Sequence, residues 1–207
     1  MIDTILGGTG RKLLLTLGAL GVAGALAGMG TFATFTATTS ASQTVSSGTV
    51  VIALGNTGAS TNRLTVTASG LVPGDTVQRS FDLSNTGSQD LASIALTTTA
   101  TTSSLLDTDG TNGLQMVIDR CSAAWTESGS SPNFSYSCSG STTTIISSRA
   151  VIQSSLSMAG LSALTAGQTD HLRLTLTFPS TAGATFQGLT SVLSYSFLGT
   201  QRAGSAH

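Results

Sequence analysis

The sequence predicts an all-β fold, and three observations indicate it. Apolar and polar residues alternate with a period of two in several short segments. Turn signals built from Gly, Pro, Asn and Asp separate these segments. The pattern favours strands over helical periods along most of the chain. About seven short strands at this spacing are typical of a β-sandwich.

The first element is an export signal rather than a strand. Arg11 and Lys12 precede an uncharged apolar run over residues 13–26, and the next charged residue is Arg63. A short positive region followed by an apolar core of this length predicts a signal peptide in a helical conformation. A retained membrane anchor over residues 13–35 is the alternative, because a helix of about 20 residues can cross the hydrocarbon layer.

The expected cleavage site follows this apolar run. Thr31 and Ala33 form the small-x-small pattern that a signal peptidase accepts, which predicts a cut after Ala33 or Thr34, next to Phe35. We therefore expect a signal peptide at 1–33, a flexible segment at 34–48, a β-sandwich at 49–200 and a disordered tail at 201–207. The membrane is expected to be a transient partner of the signal peptide alone.

The predicted strands alternate between core-facing and solvent-facing side chains. They cover residues 49–54, 64–68, 77–83, 94–99, 114–119, 171–178 and 192–198. The clearest is 171–178, in which every second residue is Leu or Phe. Pro73, Gly74 and Asp75 form a predicted turn, and 85–87 forms another. The residues Phe81, Phe178, Tyr195 and Phe197 are expected in the core.

Two segments stay open at this point. Residues 103–107 are compatible with a short helical turn, and 150–164 fit a helix or a strand equally well.

Cys121 and Cys138 are the only cysteines of the chain. An even cysteine count in an exported protein predicts a disulfide, here closing a loop rich in Ser, Gly and Asn. A reactive or metal-binding pair is the alternative, but the spacing differs from C-x-x-C. Trp125 either packs over the disulfide or takes part in a contact between subunits.

Catalytic, metal-binding and cofactor-binding patterns are absent from the sequence. No H-E-x-x-H motif occurs, and the two histidines are His171, expected on the polar side of a strand, and the terminal His207. The oxygen-rich segment 107–113 departs from the EF-hand order and predicts a polar turn. Charged residues form 8% of the chain with a net charge of −1, so no basic surface for nucleic acid is expected.

Three segments resemble those of one bacterial family. They are 30–35 after the Gly/Ala/Leu core, 70–76 leading into 81–88, and 164–178. The chain is similar here to the TasA/camelysin family of secreted matrix proteins. The resemblance implies a jelly-roll-like sandwich with minor helical insertions, cleavage by a SipW-like signal peptidase, and extracellular fibres in biofilm matrix or pilus-like form. It leaves open whether an accessory fibre subunit takes part.

The segment behind the cleavage site suits assembly. It is uncharged, rich in Thr and Ser and free of Pro, so it can add as a strand to a neighbouring sheet. The expected donor-strand residues are Phe35, Thr36, Ala37, Val45 and Val50. The sequence thus predicts a secreted, non-enzymatic protein at the cell surface or in the matrix, whose main partner is itself. An exported metalloendopeptidase and a monomeric adhesion or binding module are the alternatives.

Overall fold

Two antiparallel sheets with a shared apolar core make up the fold. The computed structural model describes residues 47–65 and 70–204. The strands are β1 Ile52–Leu54, β2 Thr76–Asn85, β3 Leu91–Thr102, β4 Gln115–Cys121, β5 Thr126–Ser130, β6 Asn133–Ser137, β7 Thr142–Ala150, β8 Gln153–Ser157, β9 Thr169–Thr177 and β10 Val192–Gln201. Helix α1 covers Leu105–Thr108, and 3-10 turns cover Ser162–Leu164 and Ala184–Phe186.

The larger sheet has the strand order β1-β2-β9-β4-β7 and the smaller one β10-β3-β8. Strands β5 and β6 form a separate hairpin. Strands hold 49% of the described residues and helices 6%, which confirms the predicted all-β sandwich.

The core lies between the two sheets. On the larger sheet, the β2–β9 register places Phe81 opposite Leu172, and both side chains are buried. On the smaller sheet, Ile94 and Leu96 of β3 are buried against them. Alternate residues of these strands therefore supply the core, as the period of two predicts.

The strand predicted at 64–68 is wrong over the residues that the structure describes. Asn62 forms an isolated bridge with Phe81, and the Arg63 amide donates to the carbonyl of Ser80 at 2.8 Å. The chain turns at Leu64 and Thr65 directly afterwards. The contact with the β2 edge is therefore too brief to make a strand, and residues 66–69 lie outside the described part.

The two open segments acquire definite structures. Ser104 caps α1 in a capping box with Asp107, so the segment at 103–107 holds the start of a short helix. The segment at 150–164 contains β8 and then the 3-10 turn at Ser162–Leu164. Of its buried residues, Ala163 lies in the 3-10 turn, while Val151, Met158 and Leu161 lie in the connections around the two elements, which explains why neither period was complete.

The structure describes the predicted segments at the two ends of the chain to different extents. The cleavage residues Thr31, Ala33, Thr34 and Phe35 lie outside the described residues, as do Thr36, Ala37 and Val45 of the expected donor strand. At the other end β10 continues through Gln201, and the Arg202 amide donates to the carbonyl of Asp90 at 3.4 Å. The expected tail thus contributes its first residues to the sandwich.

Candidate assembly site and the charged sheet face

The chain enters the sandwich beside the end of β2. The amides of Thr86 and Ser88 donate to the carbonyls of Val51 and Thr49, each at 2.9 Å. These bonds extend the β1–β2 pairing by a few residues in front of β1. Val50, expected in the donor strand, packs against the core of its own chain. The residues in front of position 49 are therefore the part of the N-terminal segment that this pairing leaves available.

Strand β10 presents a long free edge. It pairs with β3 on one side only, and within 47–65 and 70–204 no strand pairs with its other side. Its ten residues include neither a charged residue nor proline. Natural edge strands usually carry such residues because they block pairing with other chains. The edge of β10 is therefore able to accept a further strand.

Strands β1 and β10 approach each other at Gly199. A Cβ at this position would overlap the Ile52 side chain and come within 3.2 Å of Leu91. The glycine thus lets an edge strand of one sheet close against an edge strand of the other. This contact places the beginning of the described chain next to the free edge of β10.

Charge is distributed unequally between the sheets. Strands β10, β3 and β8, which we call the neutral sheet, contain no charged residue. The charged strand residues belong to the five-stranded sheet and the hairpin; they are Arg79, Asp82, Asp119, Arg120, Glu127, Arg149, Asp170, His171 and Arg173. The two sides of the sandwich therefore offer different chemistry to a partner.

The β5–β6 hairpin covers part of the outer face of the five-stranded sheet, over β2 and β9. The disulfide between Cys121 and Cys138 fixes its base, with 5.7 Å between the Cα atoms. The Trp125 indole N–H donates to the carbonyl of His171 at 3.0 Å, and the Arg173 guanidinium lies 4.3 Å from the Trp125 ring centroid. The predicted disulfide is confirmed, and Trp125 packs on β9 within its own chain.

Arg63 clamps the hairpin from the opposite side. Its Nε and Nη2 atoms donate to the two carboxylate oxygens of Glu127 at 2.9 and 2.6 Å, a bidentate pair. Its guanidinium also lies 4.5 Å from the Phe134 ring centroid. The Tyr136 hydroxyl donates to Glu127 at 2.8 Å. The bond from Arg63, against the opposing effect of desolvation, lowers the pKa of Glu127 below its ordinary value.

His171 departs from the solvated residue that the sequence predicts. Its Nδ1 lies 2.8 Å from Asp82 Oδ1 across the β2–β9 pair, and 29% of its side chain is exposed. The histidine is therefore one half of a cross-strand pair.

The polar turns have local partners. Asp75 follows Pro73 and Gly74, and its carboxylate accepts the Val72 amide at 2.8 Å. In the segment at 107–113, Asp109 accepts the amides of Thr111 and Asn112, each at 2.9 Å. Carboxylates in both places thus satisfy their own turn backbone.

The possible metal-ligand side chains do not fit a catalytic metal in the part of the chain that the structure describes. A catalytic zinc usually takes three protein ligands, and no cluster of three His, Cys, Asp or Glu side chains occurs there. The described carboxylates are each engaged by a hydrogen bond or an ion pair; they are Asp75, Asp82, Asp90, Asp107, Asp109, Asp119, Glu127 and Asp170. Asp170, for example, accepts the Ala163 amide at 2.7 Å while 1% exposed.

Sequence reasoning missed Arg63, Glu127 and Phe134 as a group. Arg63 and Glu127 lie 64 positions apart, so no local motif joins them. The one signal for this group in the sequence is composition. The chain has few charged residues and a single Glu, and that Glu pairs with an Arg.

Comparison with protein families identifies a match over most of the chain. The sequence profile described as camelysin metallo-endopeptidase matches residues 11–206. No curated protein matches the chain. Among the described residues, helices long and apolar enough to span a bilayer are absent.

Proposed function

The chain belongs to the camelysin metallo-endopeptidase family, and we propose that within this family it is a secreted structural protein that polymerises through its N-terminal segment. Proteins of this family are found at the cell surface or secreted. The donor would be residues 34–48 of one copy, and the acceptor would be the free edge of β10 in the next. The observation that carries the proposal is this ten-residue edge without charge or proline.

The β10 edge has the properties of an acceptor. Its residues alternate between exposed and partly buried positions, so an added strand would find a regular ladder of backbone groups. Leu193, Tyr195 and Phe197 point toward the core and are only partly buried. A strand laid beside them would cover apolar area that the single copy leaves accessible to water.

The donor segment has matching properties. Its fifteen residues, 34–48, carry no charge, so pairing would avoid the cost of burying an ion. Fully extended, they span about 50 Å, whereas β10 is about 34 Å long. The segment thus has the length to reach a neighbour and to pair along the whole edge. Since the donor of each copy would pair with the acceptor of the next and not with another donor, the contact is heterologous and can propagate into a filament.

Cleavage would control this assembly. A SipW-like signal peptidase cutting after Ala33 or Thr34 would release the donor from the apolar residues 13–26 that hold the precursor at the membrane. Export and polymerisation would then be joined by a single cut. An accessory fibre subunit is compatible with the same β10 edge, because backbone pairing depends little on the side chains of the partner.

A peptidase is the second candidate, favoured by the description of the family. A metal-dependent peptidase needs ligands with free lone pairs around one point, together with a position for water. The described carboxylates are instead engaged with turn amides, arginines and hydroxyls, and the one described imidazole pairs with Asp82. Because these possible metal ligands already have partners, their arrangement supports the structural protein over the peptidase.

The first test compares two substitutions that add the same charge. Val45→Asp places a carboxylate in the donor segment, whereas Ala203→Asp places one on an exposed residue at the far end of the chain. Negative-stain microscopy of the mature chain is expected to show fibres for wild type and Ala203→Asp and none for Val45→Asp, because pairing would bury the new charge. Fibres from Val45→Asp, or casein cleavage that a chelator abolishes, would contradict the proposal.

The acceptor is located by hydrogen exchange. A synthetic peptide of residues 34–48 added to the Val45→Asp chain is expected to slow hydrogen exchange at the β10 amides that point away from β3. Strand β8 is the internal control, since it is the other edge of the same sheet. A scrambled peptide of equal composition is expected to protect neither strand. Protection of β8 in place of β10 would move the acceptor to the opposite edge.

A further inference from the structure

The outer face of the neutral sheet is composed of small, uncharged side chains. Its outward positions alternate with the buried Ile94, Leu96 and Thr98 of β3. They are Ser93, Ala95, Thr97 and Thr99 on β3, Ser194, Ser196, Leu198 and Thr200 on β10, and Ser157 on β8. Apart from the exposed Leu198 and Val192, the side chains of this face are small, and the face carries neither charge nor aromatic rings.

One row of this face has a distinctive shape. Cross-strand pairing aligns Leu198 of β10, Ala95 of β3 and Ser157 of β8. Leu198 is 64% exposed, the most exposed of the large hydrophobic side chains in the described ranges. Beside it, Ala95 adds only a methyl group. The row thus consists of an apolar projection next to a shallow depression.

We propose that this face stacks on the same face of a second copy. A two-fold axis parallel to the strands and midway between β10 and β3 would place Leu198 of each copy over Ala95 of the other. The projection and the depression would then meet twice in one isologous contact. Two sheets in this arrangement lie about 10 Å apart, a spacing that small side chains permit.

The absence of charge on the neutral sheet favours a second copy as the partner that covers it. A surface without charge gains nothing from an ionic partner, and stacking on an identical surface brings no like charges together. The charged strand residues lie on the other sheet and the hairpin, so they stay in water when two neutral sheets meet. Because only hydroxyls and apolar groups are desolvated, the penalty for removing water is small compared with that of ions.

The area makes the contact weak in a single pair. In this arrangement β10 and β3 of one copy overlap β3 and β10 of the other, and two strands about 4.8 Å apart over a length of about 34 Å cover roughly 330 Å² per copy. Both copies together bury roughly 650 Å², which is below the roughly 1,000 Å² of a stable specific interface. Repetition along a fibre multiplies such a contact, since each stack raises the effective concentration for the next. The stack would therefore bundle fibres side by side, and this consequence rests on the proposed function, whereas the pairwise stack does not.

Cross-linking tests the stack by itself. The two native cysteines form a disulfide, so Thr99→Cys introduces the only free thiol. In the stack, Thr99 of the two copies lie about 11 Å apart, from a 10 Å sheet spacing and one strand of lateral offset. A bismaleimide of similar reach is expected to convert the mature Thr99→Cys chain into covalent dimers on a denaturing gel.

Thr175→Cys is the matched control. Thr175 is a threonine at an outward but half-buried position of a central strand, on the five-stranded sheet, so dimer yields are compared per thiol labelled. A monofunctional maleimide is expected to label both thiols, whereas the bismaleimide is expected to give dimers from Thr99→Cys alone. Equal dimer yields from the two variants, or no dimer from either, would overturn the proposal. This readout is independent of fibres, so a chain that forms dimers without fibres retains the stack and loses the proposed function.

Charge substitution tests the bundling. Thr99→Lys places an ammonium group on the outer face of β3, the middle strand of the neutral sheet, and Thr175→Lys places one on the opposite sheet. Micrographs are expected to show single fibres from Thr99→Lys and bundled fibres from Thr175→Lys and wild type. Bundles of undiminished width from Thr99→Lys would overturn the proposal.

Discussion

Arg63 has a role that depends on a distant residue. It occupies a segment that alternates like a strand, yet its guanidinium joins Glu127 and the Phe134 ring on the hairpin. The exposed fractions of the Arg63 and Glu127 side chains are 20% and 17%, so water screens this pair less than a fully exposed one. The pair therefore ties the loop before β2 to the hairpin.

Replacing Glu127 by Gln is expected to destabilise the protein by about 1–2 kcal/mol at neutral pH, because a charged hydrogen-bond acceptor is lost. The pKa of Glu127 is lowered in the folded state, first by the bond from Arg63. Its contribution to stability is therefore present above the ordinary range for a glutamate and is lost as the pH falls through the lowered pKa. Urea unfolding of wild type and Glu127→Gln at neutral and acidic pH is the measurement.

The gap between the two unfolding curves is expected to close in acid. Asp75→Asn serves as the control, since its carboxylate contacts only its own turn. Glu127 is the only glutamate of the chain, so its carboxyl carbon gives a single assignable signal in an NMR titration. A midpoint at or above the ordinary glutamate value would contradict the argument.

Residues were predictable where chemistry acts at the position itself. The two cysteines had only each other as partners, and Asp75 after Pro-Gly had its own turn as a partner. The Arg63–Glu127 and His171–Asp82 pairs depend on which strands become neighbours. That arrangement is set by the whole core, and no local pattern records it.

Among the elements, the β5–β6 hairpin depends on covalent support. Its strands are rich in Ser and Gly, and its buried or half-buried residues are few. The disulfide closes a loop with a separation of 17 residues, and Trp125 contacts β9 within that loop. The disulfide, the Arg63–Glu127 pair and the Trp125 indole thus hold the hairpin more than an apolar core of its own does.

Removing the disulfide with Cys121→Ser and Cys138→Ser is expected to lower stability by about 3 kcal/mol. Trp125 is the only tryptophan and packs on β9, so its fluorescence reports the contact between the hairpin region and the sandwich. In wild type, fluorescence and circular dichroism are expected to change at the same denaturant concentration. In the double variant, the fluorescence change is expected to come first, because the hairpin detaches before the sandwich unfolds.

Reduction of the wild-type disulfide provides the control, since it should reproduce the behaviour of the double variant without a change of sequence. Coincident transitions in the double variant would show that the hairpin is held without its covalent base.

Elements were predictable in proportion to their apolar alternation. Strand β9 carries a leucine at alternate positions, and its extent followed from the sequence. Strands β5 to β8 did not, because their exposed positions are Ser, Thr and Gly and their inward positions are few. In these strands, pairing with a neighbour decides the conformation, and the local pattern is weak.

At the scale of the whole molecule, charge separates the two sides of the sandwich. The neutral sheet has none, while the five-stranded sheet and the hairpin carry four ion pairs or charged contacts between them and the adjoining loop. The overall β-sandwich was predictable, because it needs only strand count and turn spacing. The charge separation was not, because it depends on the order of strands in each sheet.

Assembly through neutral surfaces is expected to resist sodium chloride. Screening weakens contacts between charges, but the proposed strand addition and sheet stacking would use backbone and uncharged groups. Light scattering by the mature chain is expected to rise at similar rates across a sodium chloride series and faster in sodium sulfate, which strengthens apolar burial. Ala203→Asp serves as the control for net charge. Fibres that dissolve in sodium chloride would show that ionic contacts hold them.

The disulfide at the base of the hairpin also links folding to place. A pair of thiols becomes a disulfide only in oxidising surroundings, and the cytoplasm keeps thiols reduced. A chain that has just been synthesised therefore has its sandwich sequence but lacks the bond between Cys121 and Cys138. The hairpin is secured only after the chain reaches an oxidising compartment. A reducing compartment thus holds the less stable form of the chain, and an oxidising one holds the form whose hairpin is secured.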